Sequence, residues 1–201
     1  MNVSVFDYGA GNLHSLLKSL ERPGIDVRVE TDVAGAVSAD ALVLPGVGAF
    51  PAATHALGET GRRRMRDAIR DGLPTLGICL GMQLLFDTSD EGGGAGLGVI
   101  AGRVDRLHAN RVPQIGWNSL ELGPARDALL DASELRIAYF ANSYVCRTAD
   151  AAGVVAWSTH EQDRFPAMVR VGRCTGVQFH PEKSSTAGVS FMHAWLREVQ
   201  P

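Results

Sequence analysis

The first half of the chain alternates short apolar segments with segments of helical periodicity, and this alternation restricts the possible folds more than any other feature. Strands are predicted at residues 3–6, 26–30, 41–44 and 74–78, and helices at residues 13–20, 62–70 and 80–86. Repeated β-α units of this length favour a parallel sheet with helices on its faces. Ligands of such a sheet bind beyond the carboxyl ends of its strands.

After residue 103 the pattern changes to short strands joined by turns. They are predicted at residues 103–107, 114–117, 137–140, 154–157, 167–171 and 176–179, many of them antiparallel, before a helix at residues 189–199. The 201 residues are enough to bury one sizeable core. We therefore predict one α/β domain, residues 1–201, with a mixed, largely parallel central sheet flanked by helices.

Composition narrows the class of protein. The formal charge of −3 predicts no nucleic-acid-binding surface, and no apolar run is long enough to span a membrane. The three cysteines show neither zinc-ligand spacing nor a disulfide framework, and the chain starts with a strand rather than a secretory leader. We expect a cytoplasmic protein that uses neither a metal ion nor an organic cofactor.

Two segments with unusual composition have simple interpretations. The arginines within residues 62–70 are balanced by nearby acidic residues, so they predict the solvated face of a helix. The glycine-rich residues 87–98 lack the lysine and hydroxyl residue of a phosphate-binding P-loop. We interpret them as a flexible connector.

Cys79 lies in the segment LGICLGMQ, residues 76–83, which predicts a buried strand, a sharp turn and a helix. Glycines two residues before and two residues after the cysteine permit this turn without side-chain clashes, as in a nucleophile elbow. The positive end of the helix dipole favours the thiolate. The elbow alone leaves two interpretations open: a nucleophile, or a buried apolar cysteine between a strand and a helix.

His180 and Glu182 end the segment TGVQFHPE, residues 175–182, which predicts a strand that runs into a proline turn. Residues two apart in extended backbone point to the same side, so the carboxylate can orient the imidazole. An exposed polar strand end also explains this pair, but it does not explain the cysteine elbow. Together Cys79, His180 and Glu182 supply a nucleophile, a base and an orienting acid.

The segments around Cys79 and His180 are similar to those of class I (triad-type) glutamine amidotransferases. Further segments resemble the glutaminase subunits of imidazole glycerol phosphate synthase: DYGAGNL (7–13), LPGVGAF (44–50), GLGVI (96–100), QIGWN (114–118) and PEKSS (181–185). The resemblance covers nearly the whole chain in order. It implies a flavodoxin-like amidotransferase fold and hydrolysis of glutamine to glutamate and ammonia. The ammonia would serve the synthesis of imidazole glycerol phosphate and an aminoimidazole carboxamide ribonucleotide (AICAR) in histidine biosynthesis.

Attack by Cys79 on glutamine creates an oxyanion that needs preorganised N–H donors. Leu80 follows the nucleophile at a helix start and is one candidate. By resemblance the second donor is Val47, between two glycines, which the partner brings into position; a plain tight turn is the alternative. By resemblance, the side chain of Gln83 and the backbone of two further residues contact the substrate. The other interpretation of Gln83 is an ordinary surface residue of its helix. The predicted substrate-binding residues are therefore Gly46, Val47, Leu80, Gln83, Ser143 and Tyr144.

The resemblance also implies a partner, a (β/α)8-barrel cyclase subunit that receives the ammonia within a heterodimer. Asn12 and Lys183 would lie nearest the ammonia entry. Trp117 could instead be an aromatic residue of the hydrophobic core. The partner-facing positions are Tyr8, Asn12, Trp117, Asn118, Tyr139 and Lys183. The chain departs from its relatives at Asn142, where they usually carry histidine. A backbone role survives that change, and a side-chain role is put in doubt.

Three other functions stay open. An amidotransferase subunit of another synthase would keep the chemistry and change the acceptor of the ammonia. A non-catalytic regulatory subunit would only bind glutamine or support its synthase, and the intact cysteine, histidine and glutamate argue against it. A stand-alone cysteine hydrolase is the third, and the partner-facing segments argue against that.

Overall fold

The computed structural model describes residues 1–9, 11–124 and 126–200, so Ala10 of the segment DYGAGNL and the last residue of the predicted domain lie outside the described residues. The strands are β1 (Asn2–Phe6), β2 (Asp26–Glu30), β3 (Ala41–Leu44), β4 (Thr75–Ile78), β5 (Phe86–Ser89), β6 (Ile100–Arg106), β7 (Gln114–Ser119), β8 (Glu121–Leu122), β9 (Ile137–Asn142), β10 (Tyr144–Thr148), β11 (Val154–His160), β12 (Asp163–Val171) and β13 (Cys174–Val177). The α-helices are α1 (His14–Leu20), α2 (Val33–Ala36), α3 (Phe50–Arg70), α4 (Leu80–Leu84), α5 (Ala128–Ser133) and α6 (Ser185–Val199), and short 3-10 helices span Ala151–Gly153 and Pro181–Lys183.

A central sheet of eight strands has the order β2-β1-β3-β4-β13-β12-β11-β8. Its first five strands pair in parallel, and its last three pair antiparallel. This confirms the prediction of a mixed, largely parallel sheet. The parallel register pairs Ile78 with Val177, so the residues that follow both strands leave the same edge of the sheet side by side.

Two hydrophobic clusters cover the two faces of this sheet. Strand β3 shows how they are separated, since Val43 belongs to one cluster while Leu42 and Leu44 belong to the other. Side chains of a strand alternate between faces, so a strand buried on both sides needs a continuous apolar sequence. The cluster beneath α1, α5 and α6 contains Trp195, and the cluster beneath α3 and α4 contains Phe50.

Helix α3 starts earlier than predicted, at Phe50 rather than residue 62. Its backbone is interrupted at Gly58, where φ is 62° and ψ is 174°, so the apolar periodicity is broken between two helical parts. Among the described residues no helix, including this one, combines the length and the apolar content needed to cross a membrane.

The predictions for residues 80–86 and 87–98 are partly wrong. Helix α4 ends at Leu84, and Phe86 begins β5, which also takes up the first residues of the predicted connector. The rest of the connector is tied down, because the N–H of Leu97 donates to Leu84 O (2.7 Å). Arg62 and Arg70 donate to backbone carbonyls of this segment, so these two arginines hold the loop rather than only solvate a helix.

Candidate active site

The backbone turns sharply at Cys79, between β4 and α4. Its φ of 46° and ψ of −103° lie outside the usual regions for a residue with a side chain. Two backbone hydrogen bonds hold it there: Cys79 N–H donates to Val177 O (2.7 Å), and Gln83 N–H donates to Cys79 O (3.0 Å). Strain of this kind is typical of functional sites. The elbow predicted from the sequence is therefore present, with the thiol buried at 6% exposure.

The two glycines of the elbow are required by close backbone packing. A Cβ at Gly81 would lie 2.0 Å from Leu44 O, and one at Gly77 would lie 2.7 Å from Gly81 O. Helix α4 therefore packs directly on the backbone of β3. This contact fixes the direction in which Cys79 leaves the sheet.

His180 and Glu182 form a buried hydrogen bond, with 2.8 Å between Nδ1 and Oε1. The backbone reason predicted for this pair is wrong, because Glu182 lies in the 3-10 helix Pro181–Lys183 rather than in extended chain. Two further hydrogen bonds fix the backbone that carries the imidazole. His180 N–H donates to Tyr139 O (2.8 Å), and the Ser184 hydroxyl donates to His180 O (2.7 Å).

The surroundings of His180 favour its protonated form. Burial by itself lowers the pKa of the imidazole, but hydrogen bonds to Cys79 and Glu182, together with their charges, outweigh burial and raise the pKa to about 10. Cys79, His180 and Glu182 thus form one contiguous group of partners, as the sequence predicted for a nucleophile, a base and an orienting acid.

Gly46 packs against both the nucleophile and the base. A Cβ on it would lie 2.8 Å from His180 Cε1 and 3.0 Å from Cys79 Cβ. The turn continues through Gly48, whose φ of 110° suits only glycine. Val47 therefore lies between two positions that require glycine, one for close packing and one for its backbone conformation.

Helix α4 provides N–H groups next to the sulfur. The first N–H groups of a helix have no partner within it, and Leu80 is the first residue of α4. Cys79 N–H is already used by Val177 O, so it is not a donor for a substrate. Leu80 N–H therefore fits the predicted role of an oxyanion donor.

A chain of side-chain amides runs through the site. Gln178, fully buried after β13, donates from Nε2 to Cys79 Sγ (3.4 Å). Its Oε1 accepts from Nε2 of Gln83 (3.3 Å), which also donates to Tyr144 O (3.1 Å). Asn142 Nδ2 donates to the same carbonyl (3.2 Å). Gln83 is 5% exposed, so its interpretation as an ordinary surface residue is wrong.

A cavity of about 230 Å³ opens on the thiol. It is lined by Gly46, Gly48, Cys79, Leu80, Gln83, Glu91, Ala141, Asn142, Ser143 and Tyr144. Glu91 is the only carboxylate among these residues, and its Oε2 accepts from the N–H of Phe50 (3.1 Å). Neither Glu91 nor Gln178 is predicted as a site residue from the sequence. A glutamate in a glycine-rich loop and a glutamine after a strand carry no pattern that separates them from surface residues.

A second cavity, of about 160 Å³, lies on the other side of the Gly46 turn. Val47, Asn12, Lys183 and Glu182 are among its lining residues, and Gly46 lines both cavities. The predicted ammonia-entry residues are thus gathered beside the triad glutamate. Val47 lines only this second cavity in the present conformation.

The two-stranded sheet of β7 and β9 has an exposed apolar side, which we call the β7–β9 face. Trp117 pairs with Tyr139 across the two strands, and their rings pack edge to face with centroids 6.1 Å apart. Trp117 is 55% exposed, so its interpretation as a core aromatic is wrong. Ile115 and Ile137 extend the face at 68% and 57% exposure.

Two predicted partner-facing residues make contacts within this chain. Tyr8 is buried, with its ring edge-on to Phe6, and desolvation raises the pKa of its phenol far above the ordinary value. Asn118 lies on the opposite side of β7 from the β7–β9 face and donates from Nδ2 to Thr159 O (2.8 Å). The burial of Tyr8 corrects its prediction as a partner-facing residue, whereas Asn118 is half-buried and its place at the interface stays a prediction.

The other two cysteines have a structural environment. Cys146 and Cys174 are both free thiols and both buried. Burial raises the pKa of Cys174 to about 12, and it raises the pKa of Cys146 as well. Neither is therefore a thiolate at neutral pH, which leaves Cys79 as the thiol placed for chemistry.

The sequence profile of the family "Glutamine amidotransferase class-I" matches residues 4–197. The chain belongs to the class I glutamine amidotransferase family. Among class I amidotransferases, it is 44% identical over 210 residues to "Imidazole glycerol phosphate synthase subunit HisH" of Shouchella clausii, covering 98% of this chain and 99% of the relative. It is 41% identical over 207 residues to the protein of the same name from Corynebacterium glutamicum, covering 98% of both.

Solved structures share the fold at low sequence identity. "Structure of PurLQS from Thermotoga maritima" superimposes with a TM-score of 0.76 at 18% identity, covering 99% of both chains. The "glutaminase domain with bound acivicin" of Trypanosoma brucei CTPS gives a TM-score of 0.65 at 16% identity, covering 98% of this chain and 94% of that one. These structural matches bear on the fold and leave the function to the site and to the closer relatives.

Proposed function

We propose that this class I amidotransferase is the glutaminase subunit of an imidazole glycerol phosphate synthase. It hydrolyses glutamine and passes ammonia to a (β/α)8-barrel cyclase subunit, which makes imidazole glycerol phosphate and AICAR for histidine biosynthesis. The observation that carries the proposal is the buried His180–Glu182 hydrogen bond beside the strained Cys79. The relatives, which span nearly the whole chain, support the choice of synthase.

The first half-reaction forms a thioester. The Sγ of Cys79 attacks the side-chain amide carbon of glutamine, and the carbonyl electrons move to oxygen. His180, which holds a proton, gives it to the amide nitrogen as the carbon–nitrogen bond breaks and ammonia leaves. Glu182 keeps the imidazole oriented and stabilises its charge through Nδ1.

The second half-reaction releases glutamate. A water molecule attacks the γ-glutamyl thioester while His180 accepts one of its protons. The tetrahedral intermediate collapses and the carbon–sulfur bond breaks, which returns the thiolate. The sum of the two halves is glutamine plus water giving glutamate plus ammonia.

The oxyanion of each intermediate is placed between two loops. Leu80 N–H, at the start of α4, supports one side. Val47 N–H is proposed for the other side, and it needs a rotation of its peptide, because Val47 lines the neighbouring cavity. We assign that rotation to the binding of the cyclase subunit, so the isolated chain is expected to be nearly inactive.

The remaining lining residues are proposed to hold the substrate. Gln83 lies one turn after Cys79, with its amide fixed by Tyr144 O. The backbone of Ser143 and Tyr144 borders the cavity, and the carboxylate of Glu91 is suited to the α-ammonium group of glutamine.

Ammonia is proposed to leave through the second cavity. That cavity begins at Gly46, next to the reacting atoms, and reaches Asn12 and Lys183, both exposed. We also propose a cytoplasmic location, which the three free thiols support, because reduced cysteines are usual there.

Glutamate release from glutamine tests the proposal, measured for the chain alone and for the chain with the barrel cyclase and its nucleotide ligand. We expect strong stimulation by the partner, abolished in Cys79→Ala. Cys174→Ala is the matched control, since it removes a buried thiol outside the cavity and should retain activity. Activity that survives Cys79→Ala contradicts the proposed nucleophile. Full activity without the cyclase contradicts the proposed activation.

A further inference from the structure

Gln178 connects the nucleophile to a substrate-site residue through both ends of its side chain. It is fully buried immediately after β13. Its Nε2 donates to Cys79 Sγ at 3.4 Å, and its Oε1 accepts from Gln83 Nε2 at 3.3 Å. Burying an amide is unfavourable unless its polar atoms are bonded, so these two contacts explain how a glutamine is tolerated in this position.

The orientation of the Gln178 amide follows from Tyr144 O, the acceptor at the end of this series of hydrogen bonds. Tyr144 O is a backbone carbonyl and can only accept, so Gln83 must present its NH2 group to it. The same NH2 group faces Gln178, which must therefore offer its oxygen. The NH2 group of Gln178 is then the end that faces sulfur. The backbone carbonyl of Tyr144 therefore determines which of the two ends of the Gln178 amide faces the sulfur.

We propose that Gln178 is a positioning residue for the Cys79 thiolate, a role that rests on Cys79 being the nucleophile of the proposed function. The neutral amide of Gln178 then donates to the sulfur, and the imidazole of His180 lies beside Cys79 against the same Gly46. Together they stabilise the negative charge of the sulfur and fix the side-chain rotamer. Other titratable groups near the sulfur are Cys146, whose pKa the charge of Cys79 raises, Glu91, which lines the same cavity, and Glu182 behind His180.

The same side chain orders Gln83. Without the oxygen of Gln178, the amide of Gln83 keeps Tyr144 O as its partner and loses the second one. Gln178 therefore affects both the reactivity of the sulfur and the placement of a proposed substrate contact. Substitutions that keep one of these contacts and remove the other separate the two effects.

Alkylation of Cys79 by iodoacetamide tests the role directly. The reaction is measured as a function of pH on the isolated full-length chain, without glutamine or cyclase, so its result does not depend on glutaminase activity. Mass spectrometry separates label on Cys79 from label on the two buried thiols, Cys146 and Cys174. The rate at each pH reports the fraction of thiolate.

Gln178→Glu keeps the size and the acceptor for Gln83 but replaces the donor to sulfur with a carboxylate oxygen. We expect the pH profile of alkylation to move to higher pH and the rate at neutral pH to fall about tenfold or more, as for loss of a hydrogen bond to a charged group. Gln178→Met removes both contacts without adding charge. It should shift the profile less, and in the complex it should raise the KM for glutamine.

Thr175→Val is the matched control, since Thr175 is a buried polar residue of β13, three positions before Gln178, and valine has its shape. It should alkylate as the native chain does. Either Gln178 variant, if folded by circular dichroism and reacting with the native pH profile, overturns the proposal. A measurement on the native chain needs no substitution: the NMR signal of the Gln178 side-chain amide should shift over the pH range in which alkylation rises. A signal that stays constant across that range also overturns it.

Discussion

Gly46 lies against the nucleophile and the base at the same time. A methyl group there would approach His180 Cε1 to 2.8 Å and Cys79 Cβ to 3.0 Å, both tighter than ordinary contacts. The two side chains, or the peptide that carries the methyl group, must then move. Catalysis by positioned groups is sensitive to displacements of this size.

Gly46→Ala should reduce glutaminase activity of the complex by about 100-fold, the usual effect of a displacement near 1 Å. Gly24→Ala is the control: its φ is +82° and no atom lies within 4 Å of the added methyl group. It should cost about 1 kcal/mol of stability for a left-handed alanine and leave activity unchanged. Equal activity of the two variants would show that Gly46 is an ordinary turn residue.

The protonation of His180 is a second property of a single residue. Its folded pKa of about 10 exceeds that of an unfolded histidine, about 6.5. Protonation therefore stabilises the native state fully below pH about 6.5, and this stabilisation is lost as pH rises through about 10.

Nitrogen-15 NMR of histidine-labelled chain measures this titration. The His180 signal, assigned by its absence in His180→Asn, should titrate near pH 10, and in Glu182→Gln at lower pH, because one stabilising partner loses its charge. His193 is an internal control, since burial, Arg22 and Arg197 lower its pKa. A midpoint for His180 at or below that of His193 would contradict the assigned environment.

At the scale of elements, α4 and β3 are packed backbone to backbone. Gly81 leaves no space for a side chain, because the nearest atom to its missing Cβ is a carbonyl oxygen of β3. A carbonyl within a parallel sheet is held by its neighbours and cannot move alone. The position of the elbow is therefore set by two elements that approach each other more closely than side chains allow.

Gly81→Ala should destabilise the fold by about 3 kcal/mol or more, since overpacking against backbone cannot be relieved by a change of rotamer. Thermal or urea unfolding followed by circular dichroism measures the loss. Gly24→Ala again shows the smaller cost of a glycine on the surface. A native-like midpoint for Gly81→Ala would mean that α4 can shift away from β3.

The elements that the sequence predicted well are those whose own residues carry the pattern that defines them. Strand β3 was predicted with its observed bounds, because a strand buried on both faces must be uniformly apolar. Phe86 was assigned to the preceding helix, because Leu84, Leu85 and Phe86 form an apolar run that helix and buried strand share. Pairing of Phe86 with Ile100, in β6, decides for the strand, and no local pattern contains that pairing.

The site divides in the same way. Cys79 and His180 stand in segments whose glycine and proline spacing shows their role. Gln178 acquires a role only through Cys79, 99 positions away in sequence. Tyr139 joins Trp117 on the β7–β9 face only through the register of β7 with β9, which no local pattern contains.

At the scale of the whole molecule, the β7–β9 face is a place where large apolar side chains meet water. Ile115, Trp117 and Ile137 are each more than half exposed. An aromatic residue surrounded by aliphatic ones is typical of the centre of a protein interface. We expect the cyclase subunit to cover this face.

Trp117→Ala should weaken assembly with the cyclase by about 30-fold, equivalent to about 2 kcal/mol for an interface aromatic, and should leave the fold intact. Isothermal titration calorimetry measures the affinity. Val29→Ala is the control, because Val29 is also apolar and 44% exposed but lies on β2, an edge strand of the central sheet rather than part of the β7–β9 face. Unchanged affinity of Trp117→Ala would place the interface elsewhere.

The backbone hydrogen bond from Cys79 to Val177 has a consequence for inhibitor recognition. It ties the nucleophile to the strand that leads to the base, while the turn at Gly46 belongs to a separate loop. Compounds that merely trap a sulfur nucleophile therefore meet the same target in the free chain and in the synthase. If the cyclase subunit positions Val47 as proposed, compounds that imitate the oxyanion, such as an aldehyde analogue of glutamine, meet a complete target only after assembly. A thiol-trapping compound therefore reports all of the chain, and an oxyanion mimic reports only the assembled part. The ratio of the two amounts bound measures the fraction of the chain that is assembled.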